Sequence, residues 1–211
     1  MDHLTEQTVA RYLLQVEAVR LSPKEPFTWA SGWKSPIYCD NRRTLSYPEA
    51  RNYIKMAMAK AIIDRYPETQ VIAGVATGAI SWGAFVADAL NLPFVYVRSQ
   101  AKDHGMKNLI EGYLPENSRV LVVEDLISTG GSSLKAVEAL RDAGADILGL
   151  YAVYTHGFEV AEQLFAEAGV AMHTLSNYNA VIEEALRTGY IAPEVKEVLQ
   201  EWRKDPANWG K

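Results

Sequence analysis

The stretch VLVVEDLISTGGSS, residues 120–133, combines the residue types of a phosphate site with two carboxylates. Four apolar residues run directly into Glu124 and Asp125, and a turn rich in hydroxyls and glycine follows at 128–132. Backbone N–H groups at such a turn, together with the dipole of a following helix, hold phosphate. Carboxylates repel phosphate, so the acidic pair fits a different group, such as ribose hydroxyls, which donate hydrogen bonds to carboxylates.

The elements around this stretch alternate between strand and helix. An all-apolar run such as 120–123 is typical of a strand buried on both faces of a parallel sheet. Further strands are predicted at 71–75, 94–98 and 147–154, and helices at 5–19, 49–66, 80–90, 134–143, 161–168, 180–187 and 194–202. The alternation predicts an α/β fold with a mainly parallel central sheet flanked by helices.

Three turns that follow predicted strands bring chemistry to one edge of this sheet, since ligands of open α/β sheets bind beyond the carboxyl ends of the strands. The turns lie at 76–79, 98–105 and 124–132. The second carries charged side chains with little apolar content, which is typical of a mobile active-site loop. Over the ten residues 98–107 the chain places the basic side chains Arg98, Lys102, His104 and Lys107.

Composition sets broad limits on the class of protein. The 211 residues fit one domain, 48% of them are apolar, and the net charge of −5 argues against a nucleic-acid binder. There is no apolar run long enough to span a membrane, and the acidic, amphipathic N-terminus predicts no secretory signal. A single cysteine, Cys39, is compatible with a reducing cytoplasm.

The order of strand, acidic pair and Thr-Gly-Gly-Ser turn resembles the signature of type I phosphoribosyltransferases, which use 5-phosphoribosyl 1-diphosphate (PRPP). Two more segments are similar to the orotate phosphoribosyltransferases. RSQAKDHG at 98–105 resembles their catalytic lid, and FTWASGWKSPIYCDNRR at 27–43, called here the substrate segment, resembles their N-terminal substrate loop. The resemblance implies a type I phosphoribosyltransferase fold in a single domain, 1–211, with a small N-terminal substrate-binding hood at about 1–45 and a PRPP-binding core at about 68–155.

The resemblance also implies a reaction and its residues. The 5-phosphoribosyl group of PRPP would pass to orotate, giving orotidine 5-monophosphate and pyrophosphate in de novo pyrimidine (UMP) biosynthesis. Lys102, His104 and Asp125 would be catalytic, and Ser128 would also touch orotate. The residues implied to bind PRPP are Arg98, Lys102, His104, Glu124, Asp125, Leu126, Ile127, Ser128, Thr129, Gly130, Gly131 and Ser132.

Mg²⁺ is the implied cofactor, held by PRPP oxygens and waters with no direct protein cage, as Mg²⁺ commonly is at phosphate sites. Asp125 is the residue expected nearest to it. The resemblance further implies a homodimer in which Lys102 and His104 act across the subunit interface. Orotate and PRPP are the expected partners, with no nucleic acid and no membrane, in the cytoplasm.

Four positions depart from the family pattern, because members carry cations where this chain has Ala30, Gly78, Ser99 and His156. Lys34 and Lys107 are candidates to compensate. His156 itself is predicted to be structural or exposed and not catalytic, and Trp202, near the C-terminus, to serve packing or an interface.

Two alternatives stay open from the residues alone. A phosphoribosyltransferase for a purine base or uracil would share the 120–133 signature, although the lid and the substrate segment argue against it. A PRPP-sensing regulator without catalysis would need a basic surface or an added module, which the composition disfavours.

Overall fold

The computed structural model describes residues 2–29, 31–100 and 109–209. Lys102, His104 and Lys107 of the lid, and Ala30 of the substrate segment, lie outside the described residues. The helices are α1 (His3–Gln15), α2 (Pro48–Arg65), α3 (Ile80–Leu90), α4 (Gly131–Asp142), α5 (Glu159–Glu167), α6 (Tyr178–Arg187) and α7 (Val195–Lys204), with a 3₁₀ helix at Asn41–Ser46.

Ten strands form one large sheet and two small ladders within the described part of the chain. They are β1 (Val19–Leu21), β2 (Phe27–Thr28), β3 (Lys34–Ser35), β4 (Ile37–Cys39), β5 (Val71–Val75), β6 (Phe94–Val97), β7 (Ile110–Glu111), β8 (Arg119–Ile127), β9 (Asp146–Thr155) and β10 (Met172–Asn177). The large sheet has the order β10-β9-β8-β5-β6-β7. Its pairs are parallel except for β7, which is antiparallel to β6. The prediction of a mainly parallel central sheet is confirmed.

Helices cover both faces of this sheet, which explains the all-apolar run at residues 120–123 of β8. Leu121 and Val123 belong to the core cluster that contains residues of α1, α2, α3 and α6. Val120 and Val122 belong to the opposite cluster, which contains residues of α4 and α5. All four side chains are fully buried, as expected for a strand in the middle of a two-sided sheet. No helix among the described residues is long and apolar enough to cross a membrane.

The first predicted helix, 5–19, was wrong at its end. The helix stops at Gln15, and Glu17 has a positive φ of 54°. Val19–Leu21 instead forms β1, which pairs antiparallel with β4. The apolar spacing of this segment continued past the helix, but pairing with a distant strand decided the conformation of its last residues.

Candidate active site

The acidic pair lies within the last residues of β8, so the strand is longer than the predicted 120–123. Glu124 pairs in register with Ala152 of β9 and is only 4% exposed. Its carboxylate accepts hydrogen bonds from the Ser133 hydroxyl at 2.8 Å and from the backbone N–H of Asp125 at 2.9 Å. Glu124 is therefore fixed between the end of the strand and the first turn of α4.

Burial controls the electrostatics of this pair. Burial, and secondly the charge of Asp125, raises the pKa of Glu124 well above its usual value. Burial also raises the pKa of Asp125, opposed by hydrogen bonds and by the nearby Arg42 guanidinium. A buried carboxylate that lacks water depends on donors and cations for its charge, and here Ser133 and Arg42 supply them.

The turn after β5 contacts the second acid directly. A Cβ added to Gly78 would lie 2.2 Å from Oδ2 of Asp125, so this position has room for glycine only while the carboxylate stays in place. The Ala76–Thr77 peptide in the same turn is cis. The turns at 76–79 and 124–132 thus meet at the carboxyl edge of the sheet, as the topology predicts.

The turn at 128–132, the predicted phosphate turn, is shaped by one glycine. Gly130, the N-cap of α4, has φ 84°, and a Cβ there would lie 2.8 Å from Cε2 of Phe165. Both the left-handed backbone and the close ring favour glycine. Thr129, Gly131 and Ser132 are exposed around the amino end of α4, where N–H groups favour an anion.

Leu126 and Ile127 lie inside β8 rather than in this turn. The Ile127 side chain is fully buried in the core. Its carbonyl accepts hydrogen bonds from the N–H of His156 at 3.1 Å and from the Thr155 hydroxyl at 3.2 Å. Ser128, which follows, is half-buried at the start of the turn.

Arg98 lies just after β6 on the same edge. Its guanidinium Nη1 is 3.4 Å from Oε1 of Glu111, and its backbone N–H donates to the carbonyl of Leu109 at 2.8 Å. A cavity of 530 Å³ separates this region from α4. Its lining includes Ala76, Arg98, Ser99, Gly131 and Ser132.

Sequence reasoning missed Asn41. Its side chain is almost fully buried, and its amide Nδ2 donates to the backbone carbonyl of Asp125 at 2.6 Å. Its Oδ1 accepts from the Cys39 thiol at 3.2 Å. Asn41 therefore joins the substrate segment to the acidic end of β8. The only signal was a polar residue at the end of an aromatic segment, which does not identify a partner 84 positions away.

His156 supplies no cation at the end of β9. It is fully buried, and its imidazole packs against Trp29, Phe158 and Trp202. Burial, aided by the charge of Arg203, lowers the pKa of His156 to about 3. The side chain is therefore neutral near pH 7, and its role here is packing.

The described residues contain no group of three or more His, Cys, Asp or Glu side chains placed to hold a metal ion. The acidic pair still offers hard oxygen atoms next to a phosphate turn. That donor set fits Mg²⁺, which prefers oxygen ligands and usually completes its shell with phosphate oxygens and waters.

Comparison with known proteins identifies the class of protein. Residues 49–184 match the family model described as a phosphoribosyl transferase domain. An orotate phosphoribosyltransferase of Porphyromonas gingivalis is 61% identical over 202 residues, which cover 96% of this chain and 96% of that relative.

Two solved structures support the same family assignment. The orotate phosphoribosyltransferase of Aeropyrum pernix superposes with a TM-score of 0.76 at 29% identity, covering 87% of this chain and 99% of its own. The Mycobacterium tuberculosis H37Rv orotate phosphoribosyltransferase in complex with PRPP gives a TM-score of 0.65 at 25% identity, covering 84% of this chain and 98% of that chain. The chain belongs to the phosphoribosyltransferase family and, within it, to the orotate phosphoribosyltransferases.

Proposed function

We propose that this protein transfers the 5-phosphoribosyl group from PRPP to orotate, with release of pyrophosphate, as a step of pyrimidine biosynthesis in the cytoplasm. The observation that carries the proposal is the edge where a buried carboxylate, Glu124, a half-buried one, Asp125, a glycine-rich turn at the start of α4 and the Gly78 turn meet. The relatives named orotate phosphoribosyltransferase support the choice of base.

The acidic pair would take the ribose. Asp125, which is less buried than Glu124, would accept a hydrogen bond from one ribose hydroxyl. Glu124 already accepts two hydrogen bonds and would use a remaining lone pair for the second hydroxyl. Ionised oxygens next to C1 also stabilise the positive charge that develops on the sugar as the bond to pyrophosphate breaks.

The turn at 128–132 would hold the 5-phosphate, through N–H groups at the amino end of α4 and the hydroxyls of Thr129 and Ser132. Ser128, at the start of the turn, would also contact orotate. The backbone of the turn after β5 would face the departing pyrophosphate.

Pyrophosphate carries away negative charge, which cations must neutralise. Arg98 is placed for this at the end of β6, and Lys102 and His104 of the lid would join it, acting across the interface of a homodimer. Mg²⁺, when bound, would neutralise charge on the diphosphate, with Asp125 as the nearest protein group. Closure of the lid would exclude water and so limit hydrolysis of PRPP.

The direct test follows orotate by ultraviolet absorbance with purified protein, PRPP and Mg²⁺, with adenine, hypoxanthine, guanine and uracil in parallel. We expect orotate to disappear only when PRPP is present, with an equal amount of pyrophosphate released. Turnover of another base and not of orotate would overturn the choice of substrate. PRPP binding without turnover of any base would favour a regulator.

The lid assignment has its own test. Lys102→Ala should reduce turnover at saturating PRPP and orotate by about a hundredfold or more, because a cation at the leaving group acts mainly in the transition state. Lys60→Ala, an exposed change on α2, is the control and should leave turnover unchanged. Equal turnover in the parent and Lys102→Ala would contradict the assignment.

A further inference from the structure

The C-terminal helix α7 contacts the substrate segment through one buried tryptophan. Trp202 is fully buried, and its indole N–H donates to the backbone carbonyl of Lys34 at 3.2 Å. The two residues are 168 positions apart. Lys34 begins β3, a strand of only two residues in the substrate segment. The last described helix of the chain is therefore attached directly to the segment predicted to hold the base.

The substrate segment needs such an attachment. The β2–β3 ladder has two residue pairs, and an isolated two-stranded hairpin is marginal in water. Its second half is nevertheless held at both ends. Trp202 holds the carbonyl of Lys34 at one end, and Asn41 holds the carbonyl of Asp125 at the other.

The segment is also tied to itself, and its strand β4 pairs with β1. The Ser35 hydroxyl donates to the carbonyl of Ile37 at 2.7 Å, and the indole N–H of Trp29 donates to the same carbonyl at 3.0 Å. A displacement at Lys34 would therefore act on residues 31–39, while the hydrogen bond from Asn41 to the carbonyl of Asp125 stays in place.

Trp202 itself is held by a set of aromatic rings. Its ring centroid lies 5.6 Å from that of Trp29, 6.0 Å from His156, 5.6 Å from Phe158 and 5.8 Å from Tyr178. Contacts on several sides leave the indole little rotational freedom, so the direction of its N–H is defined by packing.

We propose that Trp202 is a positioning residue, whose indole N–H holds the substrate segment over the sheet edge and thereby sets the affinity for the base. The proposal rests on the proposed function, since it assigns the substrate segment to orotate. PRPP binding depends on the ends of β5 and β8 and on the turn before α4, none of which Trp202 reaches through this hydrogen bond. The effect should therefore fall on orotate and not on PRPP.

Trp202→Phe is the test, with Trp82→Phe as a matched control. Trp82, on α3, is also fully buried, but its indole nitrogen has no hydrogen-bond partner among the described residues. Both substitutions shrink a buried indole to a phenyl ring, and only Trp202→Phe removes a hydrogen bond. We expect Trp202→Phe to raise the KM for orotate by about five- to tenfold, the effect of one lost hydrogen bond. The KM for PRPP should stay within about twofold in both variants.

Hydrogen exchange gives a second readout that needs no substrate. Backbone amides in residues 31–39 should exchange faster in Trp202→Phe than in Trp82→Phe, while amides of β5 and β8 exchange at equal rates in both. Because hydrogen exchange does not depend on turnover, this measurement tests the positioning role of Trp202 even if the parent protein fails to consume orotate.

Either of two results would overturn the proposal. The first is an equal KM for orotate and equal exchange in the two variants. The second is a parallel change in both KM values with faster exchange across the whole sheet, which would indicate a general structural role. If Trp202→Phe does not fold, benzothienylalanine at position 202 keeps the bicyclic shape and removes only the N–H donor. The same KM and hydrogen-exchange measurements on that variant then test the proposal.

Discussion

The neighbouring strands β8 and β9 end side by side but differ in chemistry. Leu126 pairs with Tyr154 and Ile127 with Thr155, so the two carboxyl ends lie level at the same edge. The end of β8 carries two acids and leads into a phosphate turn. The end of β9 leads into His156 and Phe158, which are buried among tryptophan rings.

Burial acts on both ends in the same sense, toward the uncharged form of each group. It raises the pKa of both acids at β8 and lowers the pKa of His156 at β9. The difference lies in the partners. Ser133, Arg42 and a backbone N–H support charge at β8, whereas His156 has aromatic neighbours and a cation, Arg203, that opposes its protonation. One strand end is equipped for ligand chemistry and the other for packing.

Gly78→Ala would most strongly disrupt the β8 end. The new Cβ would collide with the Asp125 carboxylate, so that the side chain must move away from the proposed ribose site. We expect kcat/KM for PRPP to fall by more than about a hundredfold, while circular dichroism shows an intact fold. The double variant Gly78→Ala with Asp125→Asn should have a kcat/KM for PRPP only slightly lower than that of Gly78→Ala alone, because both changes act through one carboxylate. Fully additive losses would contradict that link.

Asp125→Asn tests the charge without moving the backbone. The amide keeps the shape of the side chain but turns a charge-assisted hydrogen bond into a neutral one. A charge-assisted hydrogen bond contributes about 1.5–3 kcal/mol and a neutral one about 0.5–1.5 kcal/mol, so the difference of about 1–1.5 kcal/mol corresponds to a fall of about five- to tenfold in kcat/KM for PRPP. Steady-state kinetics with varied PRPP measures it. An unchanged KM for PRPP and unchanged turnover would remove the ribose role from Asp125.

His156→Phe tests the β9 end. The unfolded chain binds a proton at this histidine below about pH 6.5, whereas the folded chain resists protonation down to a pKa of about 3. Stability that is present above pH 6.5 is therefore lost as the pH falls. Between pH 7.5 and 5.0 the parent should lose about 2 kcal/mol more unfolding free energy than His156→Phe. Urea unfolding at both pH values measures this, and identical losses would show that His156 is not neutral and buried.

The sequence predicted the two strand ends unequally. The central strands and the glycine turn follow from local patterns, and the predicted strand at 71–75 agrees with β5 at both ends. The extension of β8 through the acids depends on pairing with Ala152, and β10, a strand with polar residues, was missed because it forms by pairing with β9. The contact from Asn41 to Asp125 joins residues far apart in the chain, so no local pattern shows it.

Glu124→Gln gives the smallest expected effect and separates stability from function at the β8 end. Burial raises the pKa of Glu124 above its usual value, so its ionisation costs folding free energy. That stability is fully present below the ordinary carboxyl pKa and is lost as the pH rises through the raised one. Glutamine is neutral throughout, so the variant should be more stable than the parent at pH 8 and equally stable at pH 4. Its kcat/KM for PRPP should fall at the same time. A variant that is less stable than the parent at pH 8 would show that Ser133 and the Asp125 N–H already compensate the buried charge, and the two strand ends would then differ in stability as well as in chemistry.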